Sequence, residues 1–304
     1  MKVLQILPQL NIGGVERGTL DLSKALIHKG HQSFVISGGG VLVDELTQCG
    51  AKHYEIPVHI KSLRTLSLAK RLSETISSID PDIVHVRSRM PAWVNYRAFK
   101  MLQKKPLLVS TFHGLYSFPI YSKVMSFVDH SIAISKTVER YILENYKLDK
   151  GDITVIPRGC DPLEFNNEVI NPVDKANIIE EFPQIVGKKV LTIPGRITKW
   201  KGVAEFIDLL SLLDDNYHGL IVGPTAKSKK KYLNKLQYKV SSLNLEDKIT
   251  FTGSRRDIAN IYKISDIVFN LSQTPEPFGR TMIEAIACGA KVVGWNHGGA
   301  SDIL

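Results

Sequence analysis

Short apolar runs alternate with helix-length amphipathic segments along almost the whole chain of 304 residues. Runs that are apolar on both faces and separated by helices are typical of parallel sheets covered by helices on both sides. We predict strands at residues 3–7, 33–36, 53–55, 83–86, 107–111, 130–134, 154–156, 190–193, 219–222, 249–252, 267–271 and 291–293. The alternation therefore predicts an α/β protein with doubly wound parallel sheets.

Helical periodicity and chain length together predict two domains. Apolar residues recur at three- and four-residue steps in the segments 15–29, 66–78, 92–103, 136–146, 203–213, 230–243 and 279–288. At roughly 150 residues per domain, the chain is long enough for two. A turn-rich stretch at 158–172 interrupts the periodicity, so we predict domains at 1–165 and 166–304. We expect ligands at the carboxyl ends of the strands, in a cleft between these domains.

The composition excludes several classes of protein. No apolar run approaches the ~18 residues that a membrane span needs. Cys49, Cys160 and Cys288 are scattered singly, which predicts neither a disulfide framework nor a CxxC metal site. Residues 1–7 are interpreted as a first strand rather than a signal peptide. A reducing, cytoplasmic location is therefore expected.

The net charge of +9 lies mostly in the first half of the chain. Residues 1–165 hold 21 Lys and Arg against 15 Asp and Glu, a balance of +6, and the remainder holds 18 against 15, a balance of +3. Such a surface suits nucleic acid, an anionic membrane or phosphorylated ligands. The lysine run at 227–231 has no interleaved aromatic residues, which favours a solvated face and no nucleic-acid partner.

Two glycine-rich loops follow the first two predicted strands. Gly13 and Gly14 lead into a helix, where glycine permits close approach of a ligand and a helix N-terminus attracts anions. A tight strand-to-helix turn explains the pair equally well. Neither G-x-G-x-x-G nor G-x-x-x-x-G-K-[ST] occurs, and the loop at 38–40 lacks the acidic residue of a NAD enzyme, so dinucleotide binding is disfavoured.

His113 lies between the predicted strand at 107–111 and Gly114. The glycine leaves room for a ligand, and a histidine can donate a hydrogen bond at neutral pH. A structural or simply exposed histidine is equally consistent with the sequence.

Three cations follow the predicted strand at 190–193. Arg196, Lys199 and Lys201 precede the helix predicted at 203–213, where the helix dipole opposes positive side chains unless an anion is bound. A solvated charge cluster is the alternative. The position after a strand and before a helix favours a phosphate site.

Two acidic residues flank the start of another predicted helix. Glu276 precedes Gly279, and Glu284 lies within the helix, whose Met282, Ile283 and Ile286 are expected to pack. Glu284 could occupy a plain surface position. The pattern also suits a site where carboxylates bind hydroxyl groups and backbone N–H groups bind an anion.

These residues together resemble the GT-B glycosyltransferases of family 4, a retaining group that uses nucleotide sugars. Glu276 and Glu284 match the E-x7-E motif, and residues 195–202 match G-R-x-x-x-x-K-G. Residues 11–14 match the amino-terminal glycine loop. Residues 155–161 resemble the hinge V-I-P-N-G-V-D, with Arg158 in place of asparagine.

The resemblance implies roles for each matching residue. The cations Arg196 and Lys201 would bind the donor pyrophosphate and stabilise the leaving nucleotide. The carboxylates Glu284 and Glu276 would bind the ribose hydroxyls and the donor sugar. The remaining implied contacts are the backbone N–H groups of Phe278, Gly279 and Arg280 to sugar oxygens or phosphate, His113 to the sugar near its reacting carbon, and Gly13 and Gly14 to donor phosphate and acceptor.

The resemblance implies an enzyme that transfers a hexosyl or N-acetylhexosaminyl group from a nucleoside diphosphate sugar to an acceptor hydroxyl, with retention. No cofactor or metal is expected, because Arg and Lys supply the positive charge. Family members continue beyond the segment that ends here at Leu304, so we expect a truncated C-terminal tail. A subunit that binds sugar nucleotide without turnover is the alternative, and a GT-B-like epimerase fits the E-x7-E pair poorly.

The acceptor is only weakly indicated. A set of cations and neighbouring aromatic and apolar segments suits an anionic membrane and a lipid-linked acceptor, as in lipopolysaccharide synthesis. The set comprises Arg87, Arg89, Arg97, Lys100, Lys104, Lys105 and the segments 116–121 and 125–128. The alternative is that the aromatic residues are core and the charges are solvated.

Overall fold

The computed structural model describes residues 1–11, 13–60, 62–116 and 119–304. Ile12 of the predicted glycine loop, and Ser117 and Phe118 of the predicted aromatic segment, lie outside the described residues. The chain forms two compact units, Met1–Pro157 and Arg158–Leu304.

The first unit is built on a seven-stranded sheet in which all neighbouring strands are parallel. Its strands are β1 Lys2–Ile6, β2 Gln32–Ser37, β3 Lys52–Glu55, β4 Ile83–Val86, β5 Leu107–Phe112, β6 His130–Ala133 and β7 Ile153–Val155. Its helices are α1 Gly14–His28, α2 Val43–Gln48, α3 Ala69–Ile79, α4 Arg89–Phe99, α5 Pro119–Ser122 and α6 Lys136–Asn145. The spatial order is β3-β2-β1-β4-β5-β6-β7.

The second unit is built on a five-stranded parallel sheet of order β10-β9-β8-β11-β12. Its strands are β8 Lys189–Pro194, β9 Tyr217–Val222, β10 Ile249–Gly253, β11 Ile267–Asn270 and β12 Lys291–Gly294. Its helices are α7 Pro172–Glu181, α8 Val203–Ser211, α9 Lys230–Ser242, α10 Ile258–Ile264 and α11 Arg280–Ala287.

Each sheet has a point where the strand order reverses. The chain moves outward from β1 to β3 and then returns to place β4 on the other side of β1; likewise β11 lies on the other side of β8 from β9. In open parallel sheets, ligands bind beyond the carboxyl ends of the strands at such a point. The loops after β1, β4, β8 and β11 are therefore where a site is expected.

The predicted strands and the doubly wound fold are confirmed, since each predicted strand overlaps an observed one. Four helices, α2, α5, α7 and α10, lie outside the predicted helical segments; α2, α5 and α10 span only six, four and seven residues, too few to establish a helical period. The unit boundary at Pro157 lies before the predicted domain end at residue 165. The reason is Phe165, which packs with Tyr262 and Val268 of the second unit.

Two expectations about individual side chains are wrong. Helix α11 buries Met282 and Ala285 together with Glu284, whereas Ile286 is 45% exposed. Arg87 was placed on the basic surface but is only 5% exposed, because its Nη1 donates to Oε1 of the buried Gln5, at 2.7 Å. None of the helices in the described part of the chain combines the length and apolarity needed to cross a membrane.

Candidate active site

The loop between β8 and α8 is fixed against the loop that follows β11. Lys199–Lys201 form a 3-10 turn, and Gly202 then adopts a φ of +76° at the start of α8. A Cβ at Gly202 would overlap the carbonyl of Leu271, so only glycine fits this close approach. The N–H of Gln273 also donates to the carbonyl of Trp200, at 2.8 Å. The two loops follow neighbouring strands and therefore present their side chains together.

Lys201 and Glu276 form an ion pair at this junction. The Lys201 Nζ donates to Glu276 Oε1, and the buried Ser272 hydroxyl donates to the same oxygen. The side chains of Lys201 and Glu276 are only 16% and 9% exposed. Lys201 Nζ also lies 4.5 Å from the centroid of the Trp200 ring. A buried charge needs such compensation, so these contacts hold both groups in place.

A second ion pair lies on α11. Gly279 has a φ of +104° immediately before the helix, and the Arg280 Nε then donates to Glu284 Oε1 at 2.7 Å. Residues four apart lie on one helix face, which explains the pair. Burial raises the pKa of Glu284, while Arg280 and the nearby Tyr262 hydroxyl oppose this and Glu164 adds to it. Burial also raises the pKa of Tyr262 well above its ordinary value.

The glycines that follow β12 pack against the backbone of the loop at 275–279. The N–H of Gly299 donates to the carbonyl of Glu276, at 2.7 Å. A Cβ at Gly299 would overlap the backbone of Phe278, and one at Gly298 would lie 2.7 Å from the backbone N and O of Glu276. Phe278 itself is buried. The position of the Glu276 carboxylate therefore depends on close backbone packing as well as on Lys201.

Arg196 stands apart from these ion pairs. Its side chain is exposed, and within the described residues it lies within 4 Å of no carboxylate. Lys199 is also exposed. The predicted cation cluster thus separates into a buried Lys201, which is neutralised by Glu276, and two solvent-facing side chains.

The remaining predicted residues belong to the first unit. Gly13 is extended, with a φ of 179°, and Gly14 begins α1. His113 directly follows β5, and its backbone N–H donates to the Tyr116 hydroxyl at 3.4 Å. Gly13 and His113 therefore both follow the carboxyl ends of strands in the first sheet, as the sequence predicts.

Sequence reasoning missed Ser272 and Tyr262, which contact Glu276 and Glu284, and Trp200, whose ring lies beside Lys201. Ser272 carries the one available signal, because it lies two residues after β11 and so at the sheet edge where ligands bind. Tyr262 lies on α10, a helix too short to be predicted, and no motif marks it. Among the described residues, no group of three His, Cys, Asp or Glu side chains is arranged to hold a metal ion.

Known proteins share this architecture. A glycosyltransferase from Rickettsia africae ESF-5 is 35% identical, with a TM-score of 0.90 over 100% of this chain and 81% of that one. HepE (Alr3699) of Anabaena, solved with UDP, is 22% identical, with a TM-score of 0.87 over 100% of this chain and 83% of that one. HepE has also been solved with UDP-glucose.

A curated relative matches a shorter stretch. The lipopolysaccharide core biosynthesis mannosyltransferase LpsB of Rhizobium meliloti is 29% identical over 154 residues, which is 50% of this chain and 42% of that protein.

The fold and these neighbours define a GT-B glycosyltransferase. The family model for Glycosyltransferase Family 4 matches residues 12–163, and that for Glycosyl transferases group 1 matches residues 174–304. The chain belongs to glycosyltransferase family 4 and is an enzyme of that class.

Proposed function

We propose that this glycosyltransferase moves a sugar from a nucleoside diphosphate sugar to an acceptor hydroxyl with retention at the anomeric carbon. The observation that carries the proposal is the presence of two buried carboxylates, Glu276 paired with Lys201 and Glu284 paired with Arg280, at the strand-order reversal of the second sheet. Carboxylates there suit sugar and ribose hydroxyls, and cations suit phosphates. HepE, of the same fold, is solved with UDP-glucose.

The proposed donor contacts divide between the two ion pairs. Glu284 accepts hydrogen bonds from the ribose hydroxyls, and Glu276 accepts from the donor sugar. Lys201 exchanges part of its contact with Glu276 for the donor pyrophosphate. The exposed Arg196 is available to the same phosphates, and the backbone N–H groups of residues 278–280 bind sugar oxygens or phosphate.

In the proposed reaction, the bond between the anomeric carbon and the phosphate oxygen breaks as the acceptor oxygen bonds to the same face of that carbon. The acceptor proton passes to the departing phosphate oxygen. Lys201 and Arg196 stabilise the negative charge that grows on the leaving group. In the first unit, His113 contacts the donor sugar near the reacting carbon, and Gly13 and Gly14 allow close approach of phosphate and acceptor.

We propose that no metal or cofactor takes part, because protein cations supply the charge at the diphosphate. Exhaustive treatment with EDTA should then leave transfer unchanged. A loss of activity that Mg²⁺ or Mn²⁺ restores would contradict this part of the proposal.

The donor is tested by a thermal-shift screen of UDP-, GDP- and ADP-sugars, because a ligand that binds the native state raises the apparent stability. The sugar nucleotide with the largest shift is then incubated with bacterial extracts as acceptor source, and the anomeric configuration of the product is determined by NMR. Transfer with retention is expected. Binding without transfer or hydrolysis would favour a non-catalytic sugar-nucleotide-binding role, and inversion would contradict the mechanism.

We propose an acceptor in bacterial surface glycan or lipopolysaccharide synthesis, reached by peripheral contact with an anionic membrane. The relative LpsB is named for lipopolysaccharide core synthesis. A surface groove of about 680 Å³ beside α4 is lined by Lys100, Lys105, Leu107 and Phe127, among others, with Leu107 49% and Phe127 38% exposed. Cations beside exposed apolar side chains suit an anionic membrane surface.

Co-sedimentation with vesicles tests the membrane contact. Binding to phosphatidylglycerol vesicles, but not to phosphatidylcholine vesicles, is expected. It should weaken in the double variant Lys100→Glu with Lys105→Glu and persist in Lys136→Glu, which changes an exposed lysine on α6. Equal binding by both variants would contradict the assigned surface.

A further inference from the structure

The carboxyl edge of the first sheet carries a cation that is fixed between aromatic rings. The Arg89 guanidinium carbon lies 4.7 Å from the Tyr116 ring centroid and 5.5 Å from that of Tyr121. Arg89 Nη1 also donates to the buried Ser122 hydroxyl, at 3.4 Å. Rings and hydroxyl together restrict the guanidinium, which lowers the entropy lost when it binds a ligand.

The rings are themselves held in place. The Tyr116 carbonyl accepts from the Tyr141 hydroxyl at 2.5 Å, and the Tyr121 carbonyl accepts from the Trp93 indole at 2.9 Å. Burial raises the pKa of Tyr121, and Arg89 is the charge that opposes this. The raised pKa keeps the Tyr121 hydroxyl neutral at physiological pH, so this ring does not compensate the guanidinium as a carboxylate would.

Among the described residues, Arg89 has no acidic partner. In the described ranges, no Asp or Glu oxygen lies within 4 Å of its guanidinium. A guanidinium has five N–H donors in a planar fork that suits two oxygens of one anion, and only one of its hydrogen bonds, to Ser122, is seen here. The partly exposed Arg89 guanidinium therefore has further N–H donors that an anionic ligand could accept from.

Arg89 lies at the same carboxyl edge of the first sheet as His113. Arg89 follows β4 and His113 follows β5, and these strands pair in parallel register. Tyr116 contacts both residues, because its ring lies under Arg89 and its hydroxyl accepts from the His113 backbone N–H. Tyr116 therefore connects Arg89 with the residue proposed to touch the donor sugar.

We propose that Arg89, fixed by Tyr116 and Tyr121, is a binding site for a carboxylate or phosphate group of the acceptor. The acceptor role rests on the proposed function, whereas the anion site itself does not. The reactive acceptor hydroxyl would then lie within a few bonds of an anionic group. The group's charge, rather than its sugar, would determine which acceptors bind.

The arginine side-chain Nε–H signals in NMR spectra of ¹⁵N-arginine-labelled protein test this site directly. The Arg89 signal is assigned by its loss in Arg89→Lys. The donor phosphate site is disabled by Lys201→Ala, and either inorganic phosphate or succinate is added. A saturable shift of the Arg89 signal is expected, and the probe that binds more tightly identifies phosphate or carboxylate as the preferred group.

The variants supply the controls. Arg89→Met should weaken probe binding at least tenfold, whereas Arg140→Met, at an exposed position on α6, should leave the affinity and the Arg89 shift unchanged. Thermal unfolding of each variant separates misfolding from loss of the site; if Arg89→Met unfolds, Arg89→Lys takes its place. An Arg89 signal that neither probe moves, or equal probe affinity in a folded Arg89 variant, would overturn the proposal. If wild type bound no sugar nucleotide, the proposed function would fail while the anion result stood.

Discussion

The carboxyl edges of the two parallel sheets carry their charges differently. In the second unit, Lys201 and Arg280 each contact a carboxylate of the E-x7-E pair. In the first unit, Arg87 donates to the amide oxygen of Gln5, and Arg89 lies against tyrosine rings. The edge in the second unit pairs these cations with acids, whereas the edge in the first unit places Arg89 against tyrosine rings.

These different surroundings favour different ligands at the two edges. Paired ions are already positioned before a ligand arrives, and a ligand that carries both phosphates and hydroxyls can exchange with both partners. A ligand that binds a cation on aromatic rings does not have to displace a carboxylate, so such a cation favours a simple anion. Under the two proposals, the diphosphate sugar would bind in the second unit and an anionic group of the acceptor in the first.

The largest effect is expected from Lys201→Ala, which removes one half of the buried pair in the second unit. If Lys201 stabilises the leaving group as proposed, its loss should lower kcat/KM for the donor found in the screen by about 10²–10³-fold. Lys199→Ala changes an exposed lysine of the same turn and should leave kcat/KM nearly unchanged. Similar losses in both variants would indicate that only the general charge of this turn matters.

Glu284→Ala should act on affinity rather than on chemistry. Hydrogen bonds to a charged group contribute about 1.5–3 kcal/mol, so the Kd for the sugar nucleotide found in the screen, measured by calorimetry, should rise by about 10- to 100-fold. Glu246→Ala, at an exposed position, is the matched control. An unchanged Kd for Glu284→Ala would contradict the proposed contact between Glu284 and the ribose. The two sheet edges would then differ less in what they bind.

The sequence predicts the fold well because each strand is a local apolar run. It also predicts Glu276, Glu284 and Lys201, since each lies in a short motif just before or within a helix. It does not predict that Lys201 and Glu276 meet, because 75 residues separate them. Nor does it show which stripe of α11 packs, because apolar periodicity alone cannot anticipate that Arg280 allows Glu284 to be buried while Ile286 faces solvent.

Gly299→Ala tests whether backbone packing also positions the second site. The added Cβ would overlap the backbone of Phe278, and overpacking of this kind costs about 1–3 kcal/mol. The melting temperature should fall, and the Kd for the sugar nucleotide found in the screen should rise as the loop that carries Glu276 shifts. Gly159→Ala is the control, because its Cβ would have no neighbour within 4 Å. Equal melting temperatures in the two variants would show that the loop accommodates the added Cβ without a loss of stability.

The raised pKa of Glu284 predicts a pH dependence of stability in the second unit. Between the ordinary value of 4.5 and the raised pKa, the folded state holds this proton more strongly than the unfolded state. Stability should therefore fall as pH rises through that window, by at most about 1.4 kcal/mol per pH unit. Urea unfolding of wild type and Glu284→Gln, compared across the window, measures the contribution. If the free energies of unfolding of the two proteins change with pH in the same way, burial does not raise the pKa of Glu284.

Gly14→Ala has the smallest expected effect on stability and tests the glycine loop of the first unit. An added Cβ at Gly14 would have no neighbour within 4 Å, and alanine favours a helix over glycine by up to about 1 kcal/mol. The melting temperature should therefore stay level or rise slightly. Turnover should nevertheless fall, because the proposed role of Gly14 is to let phosphate and acceptor approach the backbone. Unchanged turnover in a stable variant would mean that the loop is only a strand-to-helix turn, and that recognition in the first unit depends on side chains such as Arg89.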